Sequence, residues 1–406
     1  MNIWWILYII DWGLFIPIML TVAYCLFFAL CSMLRHESHV VKSKHSRRFI
    51  VLIPSYKADK NIFETVNSVL GQTYAQRNFD IVVISDHQSE LANMRLAQMP
   101  ITLLTPNFDH SSKLKSLQYA MLNLPQFKIY DAVIMLNAGD IVEPEFLEQV
   151  NDAYESAGTK VIQTHRLARN RNVSIARLDA IFEEINNSIF RRGHLAIGLS
   201  SALGNSGCVF DFQWFKQNIL KIRSFIGEDK ELEAMLMRDG IFIDYFENIH
   251  VYDLKTTTVK KFNNQRSRWT YIQLHSLVNH IRHLPAALFG SRYDQSDKIV
   301  QWMLVPRTIM MGIITIMALV LPFIYFRLVI KWWIVSAIAI MSFAIATPNY
   351  LIDKHWDSDF LRAPIVSIGA LLNIFRAGRD EAGNRISAVG DMVRSIKRRV
   401  RRRVEN

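Results

Sequence analysis

Cysteine is scarce in this chain: Cys25, Cys31 and Cys208 are the three among 406 residues. Three cysteines build no disulfide framework, and their spacing matches no metal-ligand pattern. Two of them fall in an apolar stretch near the N-terminus, so they indicate only a reduced, cytosol-facing protein. No internal repeat is apparent, which excludes a repeat array.

Charge is also missing at the start. The first 34 residues contain no Lys or Arg and a single acid, Asp11. A cleaved signal peptide needs an early basic region and a small-residue cleavage site, and neither is present. A retained anchor is the better reading. Leu14 to Leu34 is almost wholly apolar and long enough to cross a bilayer as a helix. Arg35, Lys42, Lys44, Arg47 and Arg48 follow at once. Positive charge on that flank alone places the following residues in the cytosol and the N-terminus outside.

Elsewhere base is in excess, with 47 Lys and Arg against 36 acids and a net charge of +11. Nucleic-acid binding is one meaning of such a surplus, but no recognised nucleic-acid module accompanies it. Much of it lies in juxtamembrane clusters and in Arg398, Arg399, Arg401, Arg402 and Arg403, which suit anionic lipid. A second apolar region runs from Thr308 to Phe326 and resumes from Trp332 to Thr347. The break at Arg327 and Lys331, with Pro322 and Pro348 near the ends, predicts a tight hairpin of two spans. The second span is short and needs tilt or local thinning of the bilayer. Two crossings return the arginine-rich tail to the cytosol. Pro364 to Phe375, flanked by Arg362 and Arg376, is shorter than a spanning helix and reads as lying in the interface. Arg379 to Asn406 is polar and is expected to be partly disordered.

A chain of this length has room for two domains. Between Arg48 and about Tyr271, short apolar runs alternate with amphipathic stretches. The runs are Phe49–Pro54, Ile81–Ser85, Ile101–Leu104, Ala132–Leu136 and Val161–Gln163; Asn61–Leu70 and Lys113–Leu122 are the amphipathic type. The pattern predicts an α/β domain, a mainly parallel sheet with helices on both faces. Ligands in such sheets bind beyond the carboxyl ends of the strands. Pro54-Ser55-Tyr56-Lys57, Asp86 and Asn137-Ala138-Gly139-Asp140 all fall there.

Six segments carry the chemistry: VLIPSYKADKNIFETVNSVLGQTY, IVVISDHQSE, KLKSLQYAM, MLNAGDIVEPEFLE, GEDKELE and QRSRW. The last offers two guanidinium forks for a diphosphate and one indole for a sugar face. The acidic turn before it offers a carboxylate base. In this order and spacing the segments resemble a membrane-bound family 2 glycosyltransferase, of the group that includes cellulose, hyaluronan and other polysaccharide synthases. The resemblance spans Phe49 to Gln273 and implies a GT-A fold, Rossmann-like.

The resemblance assigns roles residue by residue. Asp86 accepts hydrogen bonds from the base or ribose of a donor nucleotide; the bland alternative is a cap on the next helix. Pro54 and Tyr56 shape the base pocket, with Lys57 and Asp59 nearby. Lys113 meets the donor phosphates, or else is a solvated surface lysine. At the fourth strand the family's usual Asp-X-Asp is replaced by Asn137-Ala138-Gly139-Asp140. Asp140 is then the available carboxylate for Mg²⁺ or Mn²⁺, helped by the Asn137 amide. The alternative is simply a turn. Asp229 is the general base of inverting transfer and Glu228 orients the acceptor or the loop, although both also suit a helix N-terminus. Arg266 and Arg268 stabilise the departing diphosphate. Trp269, Gln265 and the loop at Gly207 face the acceptor. Otherwise QRSRW is a basic-aromatic cluster in lipid headgroups.

The expected division is an anchor over 1–34, a basic linker over 35–48 and the GT-A domain over 49–273. An interfacial helical segment over 274–302, a transmembrane hairpin over 303–347, and an interfacial helix with a basic cytosolic tail over 348–406 complete it. The expected activity is inverting transfer from a nucleoside-diphosphate sugar, UDP-linked, to a polysaccharide or lipid-linked glycan at the cytosolic face of the inner membrane. Three spans are few for a chain-conducting pore, so further copies or other polysaccharide-assembly proteins are expected partners alongside membrane lipids. The rival reading is a catalytically inactive homologue serving as a scaffold in surface-polysaccharide assembly.

Overall fold

The structure, a computed structural model, describes residues 3–34, 40–125, 127–223, 227–352, 356–374, 378–379 and 385–386. The arginine-rich tail lies outside the described residues. Contacts divide the chain into two units, one of Arg35–Asn170 with Gly198–Lys255, the other of Met1–Leu34, Arg171–Ile197 and Thr256–Asn406. The segment Arg171–Ile197, inside the 49–273 stretch of the sequence reading, groups with the apolar helices.

The first unit is built on eight strands: β1 (Phe49–Tyr56), β2 (Phe79–Asp86), β3 (Thr102–Leu104), β4 (Ala132–Met135), β5 (Ile141–Val142), β6 (Val161–Ala168), β7 (Cys208–Asp211) and β8 (Ile243–Asp253). They form one sheet in the order β3-β2-β1-β4-β7-β6-β8-β5. Phe49 to Ile53 is continuously buried because both faces of β1 are covered. Ile50 and Leu52 pack with Leu114, Leu117 and Met121 of the helix Lys113–Asn123. Phe49, Val51 and Ile53 pack with Ile62, Val66 and Val69 of the helix Ile62–Leu70. The period-two alternation of β1 thus feeds two cores.

β3, β2, β1 and β4 are parallel to one another, as expected. Beyond β4 the sheet is mixed: β7 runs antiparallel to both β4 and β6, and β5 antiparallel to β8. β5 and β7 are two and four residues long, too short for a period to show. The reversal at β7 matters for chemistry. It brings the loop that precedes Cys208 to the same sheet edge as the carboxyl ends of β1, β2 and β4.

In the second unit, Leu7–Cys31 and Phe326–Ala346 are helices long and apolar enough to cross a membrane. Tyr293–Met303 and Arg307–Phe323 together make a third if their 46° bend is taken as one broken span. Tyr8 meets Tyr325 edge-on and Phe15 meets Trp332 edge-on. The first helix and Phe326–Ala346 therefore run parallel, as they must if one crossing separates them. The break between apolar segments falls at Leu321–Tyr325, with Pro322 in it, and not at Arg327 and Lys331 as expected. Lys331 is accommodated inside the helix because its ammonium pairs with Asp11 and lies 3.9 Å from the Trp12 ring centroid. Trp332 Nε1 also donates to Asp11, at 2.8 Å. The same pairing lets the first helix begin at Ile3, well before Leu14. The late apolar piece is longer than expected, a helix over Trp356–Ile374. It packs on Arg307–Val320, where a Cβ at Gly312 would stand 3.1 Å from the Ser367 carbonyl oxygen.

Candidate active site

The carboxyl ends of β1 and β2 hold the first group. Asp86 closes β2 in register with Tyr56 of β1 and is 1% exposed. Its Oδ1 lies 2.6 Å from Nδ1 of His87, while Oδ2 is buried without a hydrogen-bond partner. A buried carboxylate oxygen left unpaired is an acceptor waiting for a donor. It does not cap the next helix; Ser89 does, accepting from Ala92 N at 3.2 Å. Exposed Lys57 and His87 both adopt left-handed backbone, φ 48° and 55°, where the two strands turn away. The Tyr56 ring stands edge-on to His87, and half-buried Pro54 lies two residues upstream. Asp59 ties the two loops together by accepting from Ser89 N at 3.1 Å.

The tip of β4 is a closed turn. Asp140 Oδ2 accepts from Asn137 N at 2.7 Å and from the Ser206 hydroxyl. Asp140 N donates back to Asn137 O at 3.1 Å. Gly139 has φ +103° and donates its N–H to Thr65 Oγ1 at 2.8 Å. Lys113, the first residue of its helix, donates from Nζ to Asn137 Oδ1 at 2.8 Å and to the Asn205 carbonyl. It is not a free surface lysine. Burial pushes the Asp140 carboxyl above its ordinary range, with the nearby Asp253 charge adding to the effect.

A hard divalent cation takes oxygen donors, and beside a substrate diphosphate one or two protein carboxylates complete its shell. Here one oxygen of the Asp140 carboxylate, Oδ2, is engaged by Asn137 N and the Ser206 hydroxyl, and the Asn137 side-chain oxygen faces an ammonium. Gly139 stands where the family has its second acid, in a backbone conformation that an Asp adopts only with strain. Among the described residues no group of three or more His, Cys, Asp or Glu is placed to hold a metal. One carboxylate oxygen is a weak protein hold for the expected Mg²⁺ or Mn²⁺ at Asp140.

The charges of a buried ionic group that leaves no pattern in the sequence act on Asp140. Arg166 pairs with Asp253, and Lys255 Nζ lies 2.8 Å from Asp253 Oδ1. Asn205 and Ser206 stand directly before Gly207, in the loop that the resemblance brings to the acceptor; Arg166, Asp253 and Lys255 carry no such mark. Gly207 has φ +67°, and a Cβ on it would stand 2.4 Å from Thr164 Oγ1. Its missing side chain lets the loop lie against β6.

Glu228 and Asp229 open the helix Glu228–Arg238 after Gly227, whose φ is +78°. Glu228 is buried and Asp229 half-buried. Asp229 forms no ion pair among the described residues. The helix is fixed to the β4 side of the unit because Glu233 Oε1 accepts from Leu203 N at 2.8 Å. Leu203 is three residues before Ser206, the partner of Asp140.

In the second unit, Gln265 to Trp269 lie on the helix Val259–His280. Arg266 is 7% exposed and its guanidinium pairs with Asp179. It also lies over three rings, 4.4 Å from Trp269, 4.6 Å from Phe262 and 5.0 Å from Phe182. Burial pulls its pKa down against the charges of Asp179 and Glu183. One of the two forks expected for the diphosphate is therefore occupied within its own unit. Arg268 and Trp269 are half-buried, and Gln265 Oε1 is buried without a partner.

A family model described as "Glycosyltransferase like family 2" matches residues 46–271, more than half of the 406. The chain belongs to that family, with the GT-A fold. No curated protein matches its sequence significantly. Among solved structures it is similar to the mannosyltransferase PcManGT from Pyrobaculum calidifontis, in complex with GDP-Man and Mn²⁺. That match has 11% identity and a TM-score of 0.51, covering 88% of this chain and 97% of the other. S. aureus TarS 1-349 is similar at 13% identity and TM-score 0.42, over 82% and 95% of the two chains. The same fragment in complex with UDP gives 14% and 0.39, over 83% and 95%. The likeness to the mannosyltransferase concerns the fold alone.

Proposed function

We propose that the protein is an inverting glycosyltransferase. It moves a sugar from a nucleoside-diphosphate sugar, UDP-linked, to a polysaccharide or lipid-linked glycan at the cytosolic face of the inner membrane. The observation that carries this reading is the buried, unpartnered Oδ2 of Asp86 on the sheet edge that also bears Lys113. An unfilled charged acceptor for a base N–H or ribose hydroxyl and an ammonium for phosphate are the two ends a nucleoside diphosphate needs.

Asp229 removes the acceptor hydroxyl's proton as that oxygen attacks the anomeric carbon from the face opposite the diphosphate. The new glycosidic C–O bond forms while the sugar–phosphate bond breaks, and the nucleoside diphosphate leaves with the electron pair. Glu228, buried beside the base, holds the turn. Tyr56 and Pro54 flank the nucleobase. Arg268 answers charge growing on the leaving group. Trp269 and Gln265 face the acceptor, with Arg266 positioning the indole by stacking on it. The loop at Gly207 borders the acceptor path.

Three crossings with the N-terminus outside put the catalytic unit and the tail in the cytosol, against anionic lipid. So few spans suit either single additions to a lipid-carried acceptor or a conduit completed by further copies or assembly partners. Purified protein in detergent, screened against UDP- and GDP-sugars with a lipid-linked or oligosaccharide acceptor, tests the reading. Acceptor-dependent release of nucleoside diphosphate supports it. Release from none of the donors, with nucleotide still bound, favours a scaffold.

A further inference from the structure

We infer that the Lys113 ammonium takes the place of a divalent cation at the β4 tip and neutralises the donor diphosphate. The inference rests on the nucleotide-sugar reading above and specifies how that site carries its positive charge.

Three observations converge. Lys113 Nζ lies 2.8 Å from Asn137 Oδ1 and also donates to the Asn205 carbonyl, so the ammonium is held at the strand tip by two neutral oxygens. An ammonium has three donors, and two neutral acceptors leave its charge uncompensated and available to an anion. Second, Asn137 occupies the position where the resemblance calls for a carboxylate. An Asp there would pair with Lys113 and cancel its charge; the amide orients the ammonium without doing so. Third, the remaining acid has one oxygen occupied. Asp140 Oδ2 accepts from Asn137 N and the Ser206 hydroxyl, and Gly139 at φ +103° offers no side chain. Two acids of the usual pattern are absent, and a base is fixed where the cation they would hold is needed.

Lys113 also begins an 11-residue helix capped by Ser112. The partial positive charge of that terminus adds to the ammonium on the same anion.

The test is nucleotide binding by titration calorimetry, with full-length protein in detergent, using UDP, GDP and the matching monophosphates. Each is run in EDTA and in Mn²⁺. The expected result is diphosphate binding in EDTA that Mn²⁺ strengthens less than about twofold. Lys113→Met should weaken the diphosphate by about tenfold or more, the scale of a charge-assisted hydrogen bond. Monophosphate affinity should change much less, which also shows that the variant is folded. Lys113→Arg should retain most of the diphosphate affinity. Binding that appears only with Mn²⁺, or that survives Lys113→Met unchanged, overturns the inference and leaves the nucleotide-sugar reading standing. Binding of no nucleotide under either condition removes both.

Discussion

Asp140 and Asn137 close on each other: the carboxylate accepts the N–H three residues back at 2.7 Å, and the Asp140 N–H returns a bond to the Asn137 carbonyl at 3.1 Å. That reciprocal pair closes the β4 tip into a turn held by one oxygen of its acid.

The first prediction concerns this acid and pH. Burial and the Asp253 charge raise the folded pKa of Asp140 above its ordinary 3.8. A carboxyl raised on folding favours the protonated form, so its contribution is most favourable below 3.8. The contribution declines as pH rises through the folded value, leaving a penalty at neutral pH. Asp140→Asn cannot ionise and keeps an acceptor, so at pH 7 it should match or exceed wild-type thermal stability. Asp140→Ala strands the Asn137 N–H and Ser206 hydroxyl and should cost about 1–3 kcal/mol. Equal losses in both variants would contradict the assignment.

Asp86 gives the second. If Oδ2 receives a donor from the nucleoside, Asp86→Ala should weaken UDP and UMP alike, by about 10- to 100-fold. The loss is common to both because the contact is to the nucleoside, in contrast to the phosphate-specific effect at Lys113. A variant that binds both nucleotides normally would remove Asp86 from the site.

Asp80 provides a third, on stability. Burial pushes its pKa up, but the Tyr130 hydroxyl at 2.7 Å, Lys128 at 3.0 Å and Arg48 outweigh this and hold it below 3.8. A lowered carboxyl contributes fully above its unfolded pKa and loses that contribution as pH falls through the folded value. Thermal stability should therefore fall below pH 4, less steeply in Asp80→Asn. Parallel curves for the two proteins would contradict the pairing.

The fourth tests the helix pair Asp11–Lys331. Removing one partner leaves the other charge buried, at a cost of about 3–5 kcal/mol. Lys331→Met and Asp11→Asn should each lower the unfolding temperature in detergent. The double variant should be more stable than at least one single variant, because no lone charge remains. Additive losses would show that the two residues act independently.

Much of this molecule was legible in its residues. Continuous apolar runs such as Phe49–Ile53 announced strands covered on both faces, and Asp86 announced itself by closing one. The short strands β5 and β7 carried no period, so the reversal that brings Ser206 to Asp140 was hidden. Lys331 read as a loop marker because its partner, Asp11, is 320 residues away in sequence. Arg266 advertised a fork for phosphate, while Asp179, which occupies that fork, sat in an unremarkable helix. In each case the pattern gave the residue's chemistry and distance in sequence concealed its partner.

Asp229→Asn is the most direct test of the catalytic account. It exchanges one oxygen for nitrogen on a half-buried side chain at a helix start, so folding and donor binding should persist. Acceptor-dependent release of nucleoside diphosphate should fall by about 10²- to 10⁴-fold, the usual contribution of a general base, at unchanged donor affinity. Turnover within a few-fold of wild type would contradict the account.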